Sequence, residues 1–170
     1  ILINAGVMED STKLWWDIRP SARYPTLETR IMDVCTRIDD AISIAALLVS
    51  TIRVLYRLRI KNQRWRDYSS MLIRENRWRA MRYSFDDGLI DFGIGSIVPF
   101  EELLDEFVEL ALEDAKILGC EREVMETKDI LNRGTSAHRQ LKTYELSIAA
   151  GKNNEDALKD VVDMLITETA

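Results

Sequence analysis

Apolar and polar positions alternate along Lys13–Arg19 and again along Thr26–Asp33, and both stretches are rich in aromatic and β-branched residues. That period of two predicts two strands. Pro20-Ser-Ala-Arg-Tyr-Pro25 joins them, with proline at both ends, as a turn or short loop. Neighbouring strands with so short a link pair antiparallel. Beyond Asp39 and Asp40, candidate N-caps, the period changes to that of a helix over Ala41–Lys61. Its first half is apolar on nearly all sides and predicts a central, buried helix. A second helix is predicted over Tyr68–Arg82, and Gly88–Val98 reads as a small β-hairpin. Gly93 and Gly95 lack the third glycine of a dinucleotide loop and read as a turn.

From Phe100 onward everything is helical. Phe100, Leu103, Leu104, Phe107, Leu110 and Ala111 mark one apolar face, with Pro99 at its start and Gly119 as its stop. Residues 121–133 form a weaker helix ending at Gly134. Thr135 or Ser136 caps the next, which stops near Gly151. Asn153 or Asn154 caps the last, striped by Leu158, Val161, Val162, Leu165 and Ile166. The predicted class is α+β: sheet strands over 1–36, helices over 37–84, a hairpin over 85–98, helices over 99–170. All belong to one domain, which 170 residues suit.

Composition narrows the function classes. Hydrophobic residues at 46% and charged residues at 31% exclude wholesale disorder. No apolar run reaches the roughly 20 residues of a membrane span, the longest block being Ala41–Val49. Cys35, Cys120 and a single histidine cannot form a zinc cluster; the cysteines read as reduced and the setting as cytoplasmic. Residues 1–10 lack the pattern of a signal peptide, and a start at Ile1 reads as the interior of a longer protein, the chain being its C-terminal part.

The net charge of −6 hides an uneven spread. Residues 1–52 carry −2, residues 53–82 carry +8, and residues 83–170 carry −12. The basic stretch faces either an external polyanion such as RNA or a bound phosphate and acidic helices of the same protein. Arg64-Trp-Arg66, Arg77-Trp-Arg79 and Arg82-Tyr83 interleave bases with rings, which suits single-stranded nucleic acid. The plainer reading pairs the arginines with acids and packs the tryptophans.

The second strand carries the sharpest chemical signal. Leu27 and Ile31 take the core-facing side, so Glu28 and Arg30 share the other, about 6.6–6.8 Å apart. Such a pair can be a plain surface salt bridge. Alternatively the carboxylate holds Mg²⁺ while the guanidinium grips a phosphoryl oxygen. On the first strand Asp17 and Arg19 alternate onto one face, and Arg23 sits in the turn. If both polar faces coincide, two acids and two arginines stand together.

Trp16-Asp-Ile-Arg-Pro20 and Pro25-Thr-Leu-Glu-Thr-Arg-Ile-Met-Asp33 resemble the C-terminal half of the carboxylate–amine ligases related to glutamate–cysteine ligase type 2. Asn76–Tyr83 and Arg133–Leu141 resemble two further segments of that family, which more often has Asp at the position of His138. The resemblance implies a glutamine-synthetase-like curved antiparallel sheet and ATP-dependent joining of glutamate, or a similar carboxylate, to an amine such as cysteine through an acyl phosphate. It implies Glu28 as a magnesium ligand and Arg30, with Arg19, as catalytic arginines. Arg23, Asn76 and Arg82 become candidate substrate or phosphate contacts. It also implies small-molecule partners, no membrane and self-association, with no interface specified. Two other functions compete: a nucleic-acid-binding helical module built on 53–82, and an inert fragment lacking its nucleotide-binding half.

Overall fold

The structure, a computed structural model, describes residues 1–169. The chain divides into two compact units, Ile1–Val34 and Cys35–Ala170.

The first unit is a hairpin of β1 (Ile18–Pro20) and β2 (Leu27–Thr29), preceded by a 3₁₀ turn at Ser11–Lys13. The strands pair antiparallel, Ile18 opposite Thr29, Arg19 opposite Glu28 and Pro20 opposite Leu27. Both are shorter than the alternation predicts. Asp10 caps the 3₁₀ turn by accepting the Thr12 N–H, so the chain bends where a strand was expected to begin. Leu27 and Ile31 are exposed, against the core-facing expectation. They do share a side with Ile18, opposite the charged face, but no layer of the described residues covers it.

The second unit is built on α1 (Ile38–Ile60), α3 (Phe100–Leu118) and α4 (Glu121–Arg133). They enclose Ala46, Leu104, Val108, Ala115 and Val124, with Leu47, Phe100, Cys120 and Leu131 packed around them. Arg37 stands at the N-cap of α1, and Asp39 and Asp40 fall in its first turn instead of capping it. Asp40 is buried and holds Arg133 at 2.5 Å. The outward side of α1 is exposed, so the helix is central in only one direction. By length and composition it could cross a membrane, which the count of consecutive apolar residues had not anticipated. Its inner side is committed to protein contacts with α3 and α4.

α2 (Ser70–Tyr83) packs on the hairpin of β3 (Leu89–Asp91) and β4 (Ser96–Val98). Ser69 Oγ caps α2 by accepting from Met71 N–H. The β3–β4 turn closes on Asp91, whose carboxylate accepts from Gly93 and Ile94 N–H. α5 (Ser136–Ala149) and α6 (Asn154–Thr169) form an antiparallel helical pair. Asn153 caps α6 reciprocally with Asp156, at 3.0 and 2.9 Å. Helix boundaries from α3 onward follow the apolar periodicity closely, and the class is α+β.

Candidate active site

The charged face of the β1–β2 hairpin is assembled by the strand register. Residues directly opposite in an antiparallel pair point to the same side, and Arg19 stands opposite Glu28. Arg19 Nε donates to Glu28 Oε2 at 2.7 Å. Its Nη1 donates to the carbonyls of Thr12 at 2.6 Å and Leu14 at 2.9 Å. Arg19 is thereby the most enclosed residue of the hairpin, 8% exposed. Its head draws the 3₁₀ turn and the strand together, which is the physical reason the first strand begins only at Ile18.

Arg30 lies just beyond β2, held by its N–H donating to Asp17 C=O at 2.7 Å. Its Nη2 reaches Glu28 Oε1 at 2.6 Å, and its guanidinium stacks over the Trp15 ring, 5.0 Å from the centroid. Each oxygen of Glu28 therefore faces a different guanidinium. The Arg19 hydrogen bond holds the Glu28 carboxyl below its ordinary range, and the charges of Arg19 and Arg30 add to this. The side chains of Arg19, Glu28 and Arg30 converge on one face as expected, and the Asp17 carbonyl accepts from Arg30 N–H.

Trp15 is a member of this group that the motif reading passed over. The alternation that places Asp17 beside Arg19 places Trp15 there as well. An arginine over an exposed indole gains cation–π attraction and a fixed plane. Arg23 lies at the exposed hairpin tip, where its N–H donates to Ser21 Oγ at 3.2 Å.

Asn76 and Arg82 belong to the second unit. The Asn76 amide is engaged twice with Ile90, donating to its C=O and accepting from its N–H, both at 2.8 Å. This ties α2 to β3. Arg82 is exposed and lies 5.8 Å from the Tyr83 ring centroid. His138 Nδ1 takes the N–H of Thr135 at 3.2 Å, and its Nε2 meets Asp86 at 3.2 Å. Its ring stacks on Phe85 at 4.6 Å. A histidine so engaged caps α5 and ties it to the 84–88 turn.

The basic stretch is partly neutralised from within. Arg57 donates twice to the fully buried Asp114, at 3.0 and 2.9 Å, and Arg53 stands 3.3 Å from its other oxygen. Arg79 donates to the carbonyls of Gly88 and Asp87. These contacts answer to the acidic-helix reading of the island more than to an external polyanion.

A sequence profile of glutamate–cysteine ligase family 2 (GCS2) matches residues 2–164. The chain belongs to glutamate–cysteine ligase family 2. A relative from Rhodospirillum rubrum is 56% identical over 99% of the chain and 43% of its own length. One from a Jannaschia species is 50% identical over 99% of the chain and 44% of its own. One from Chloroflexus aggregans is 38% identical over 99% of the chain and 41% of its own. The name each bears, glutamate–cysteine ligase 2, is a provisional one. The chain spans less than half the length of these family members.

For the magnesium expected of such a ligase, the described residues supply one convergent carboxylate, and no three acidic, histidine or cysteine side chains gather around a point. Both Glu28 oxygens are already taken by guanidinium groups. The hairpin face by itself fits an anionic oxygen better than a divalent cation, which takes about six oxygen ligands.

Proposed function

We propose that this chain supplies part of the active site of an ATP-dependent ligase that joins glutamate to an amine such as cysteine, working in the cytosol. The single observation that supports it most is the Arg19–Glu28–Arg30 cluster on a two-stranded ribbon in a chain of this family.

In this reaction the substrate carboxylate attacks the γ-phosphorus of ATP and ADP departs. The resulting acyl phosphate then yields to the amine, releasing phosphate. The protein's part is positioning and charge neutralisation. Arg30 is the residue suited to the transferring phosphoryl group. Its planar fork matches phosphate oxygens, and a third of its side chain is open to solvent. Glu28 and Trp15 hold that fork in place. Arg19 is better suited to positioning than to substrate contact, since it is buried and its Nε and Nη1 are engaged by Glu28 and two carbonyls.

The test uses a full-length ligase in which this chain replaces the matching stretch of the Rhodospirillum rubrum relative. Glutamate- and cysteine-dependent ADP release is measured for Arg30→Ala and Glu28→Ala. Loss of one preorganised donor predicts a fall in kcat of about 10²–10³-fold for Arg30→Ala. Rates near those of the parent in both variants would reduce the cluster to a surface salt bridge.

A further inference from the structure

The outward side of α1 carries a line of apolar residues that the described residues of the unit leave largely uncovered. Ile38, Ile42, Ala45, Val49, Ile52 and Tyr56 follow one another at spacings of four, three, four, three and four. Those spacings average 3.6 residues, the period of the α-helix itself, and keep all six on one seam, about 27 Å long at 1.5 Å per residue. Ile38 is 74% exposed and Tyr56 is 61% exposed. Ile42 and Val49 are also exposed, and Ile52 is half-buried. No charged residue interrupts the line. The opposite side of the helix is fully used: Ala46 and Val54 are buried there, and Arg53 and Arg57 hold Asp114 of α3.

We infer that this seam is a docking face, and that its occupant is the portion of a full-length family member that the present chain does not match. Three observations favour that occupant. More than half the length of each relative cited above lies outside the matched stretch, while the match itself runs through α1. Polypeptide of the right family is therefore available to cover it. A second copy lying parallel would set Arg53, Arg57 and Arg59 of both helices alongside one another, a like-charge arrangement. A lipid surround would have to strip α1 from α3 and α4 and expose the buried Asp114 with its two arginines. A covered seam also accounts for an apolar helix that a soluble surface would otherwise leave bare.

The experiment supplies the unmatched portion of the Rhodospirillum rubrum relative and this 170-residue chain as separate polypeptides. Light scattering after gel filtration reads the mass of the mixture, and titration reads the affinity. A 1:1 complex is expected, weakened at least tenfold by Ile42→Gln with Val49→Gln and unchanged by Lys159→Ala on α6. Circular dichroism shows whether the variants keep their helices. A photo-cross-linker on Tyr56→Cys, which leaves the rest of the seam intact, is expected to form its adduct with the added polypeptide. Failure to form a complex, or a complex indifferent to the seam, overturns the inference. So does a dimer of this chain, or binding to phosphatidylcholine vesicles, that the double variant abolishes. Because assembly is read without ATP or turnover, a failure of the ligase reading would leave this result standing.

Discussion

Arg19 has two kinds of acceptor to satisfy at once, and that fixes what it can do. A carboxylate and two backbone carbonyls around one guanidinium make a clamp. Arg19→Met strands two carbonyls and removes the Glu28 partner. The expected loss is about 2 kcal/mol for the hairpin, since bonds to charged groups are worth about 1.5–3 kcal/mol. Arg19→Lys recovers little, because an ammonium cannot reproduce the fork. Urea unfolding followed by Trp15 and Trp16 emission checks both. Glu28 gives a pH signature of its own. Its carboxyl is held below the ordinary value of 4.5, so the folded hairpin binds its proton less readily than the unfolded chain. The stabilisation is complete above that value and is lost as pH falls through the lower, folded one. Protection of the Arg30 amide against hydrogen exchange should therefore hold steady from neutrality to about pH 5 and fall in stronger acid. Glu28→Gln should remove this acid-dependent fall. Glu28, Arg19 and Arg30 were readable from alternation, because a strand puts every second side chain on one face. The two carbonyl acceptors were not, since backbone groups carry no residue label.

At the scale of elements, helices from α3 onward could be read almost to the residue, and the two hairpins could not be read equally well. Helix periodicity repeats over several turns and survives a local exception, whereas a three-residue strand offers one alternation. β3 and β4 were marked by their turn: Asp91 closes it with side-chain and backbone bonds. Gly88 opens the same hairpin at φ +67, and a Cβ there would lie 2.2 Å from the Val98 carbonyl oxygen. Gly88→Ala must either move β4 or break its pairing, at a cost of about 2 kcal/mol or more, visible as a lower urea midpoint. At α5 the cap is made by a histidine. His138→Ala loses the Thr135 N–H bond, the tie to Asp86 and the stack on Phe85. The expected loss is about 1 kcal/mol, the typical worth of a cap, read from the same unfolding curves. Between α1 and α3, Asp114→Ala removes the buried counter-charge that Arg53 and Arg57 share and leaves Arg57 only the exposed Glu113, 3.8 Å away. About 2–3 kcal/mol is expected, toward the low end for a broken buried pair because both arginines reach solvent.

At the scale of the whole molecule, the charge map was legible and its purpose only partly so. The +8 stretch and the −12 stretch meet where Arg53 and Arg57 take Asp114, a pairing that net charge foreshadows without naming partners. The reading of the chain as the part of a ligase without its nucleotide-binding half already limits how much of a nucleotide site these residues complete, and the hairpin gives that limit a physical content. ATP with its metal needs several carboxylates and a cradle for three phosphates, at affinities that sum many contacts. The described residues bring together three charged side chains on a ribbon, one of them an acid. Calorimetric titration of the isolated 170 residues with Mg·ATP should accordingly show no binding tighter than roughly 100 μM, about 5.5 kcal/mol at this scale. Adding the unmatched portion of the Rhodospirillum rubrum relative should tighten it. Submicromolar binding by the isolated chain would require a nucleotide site that the hairpin cluster does not account for, and would move the search for the phosphate contacts into the basic stretch of residues 53–82.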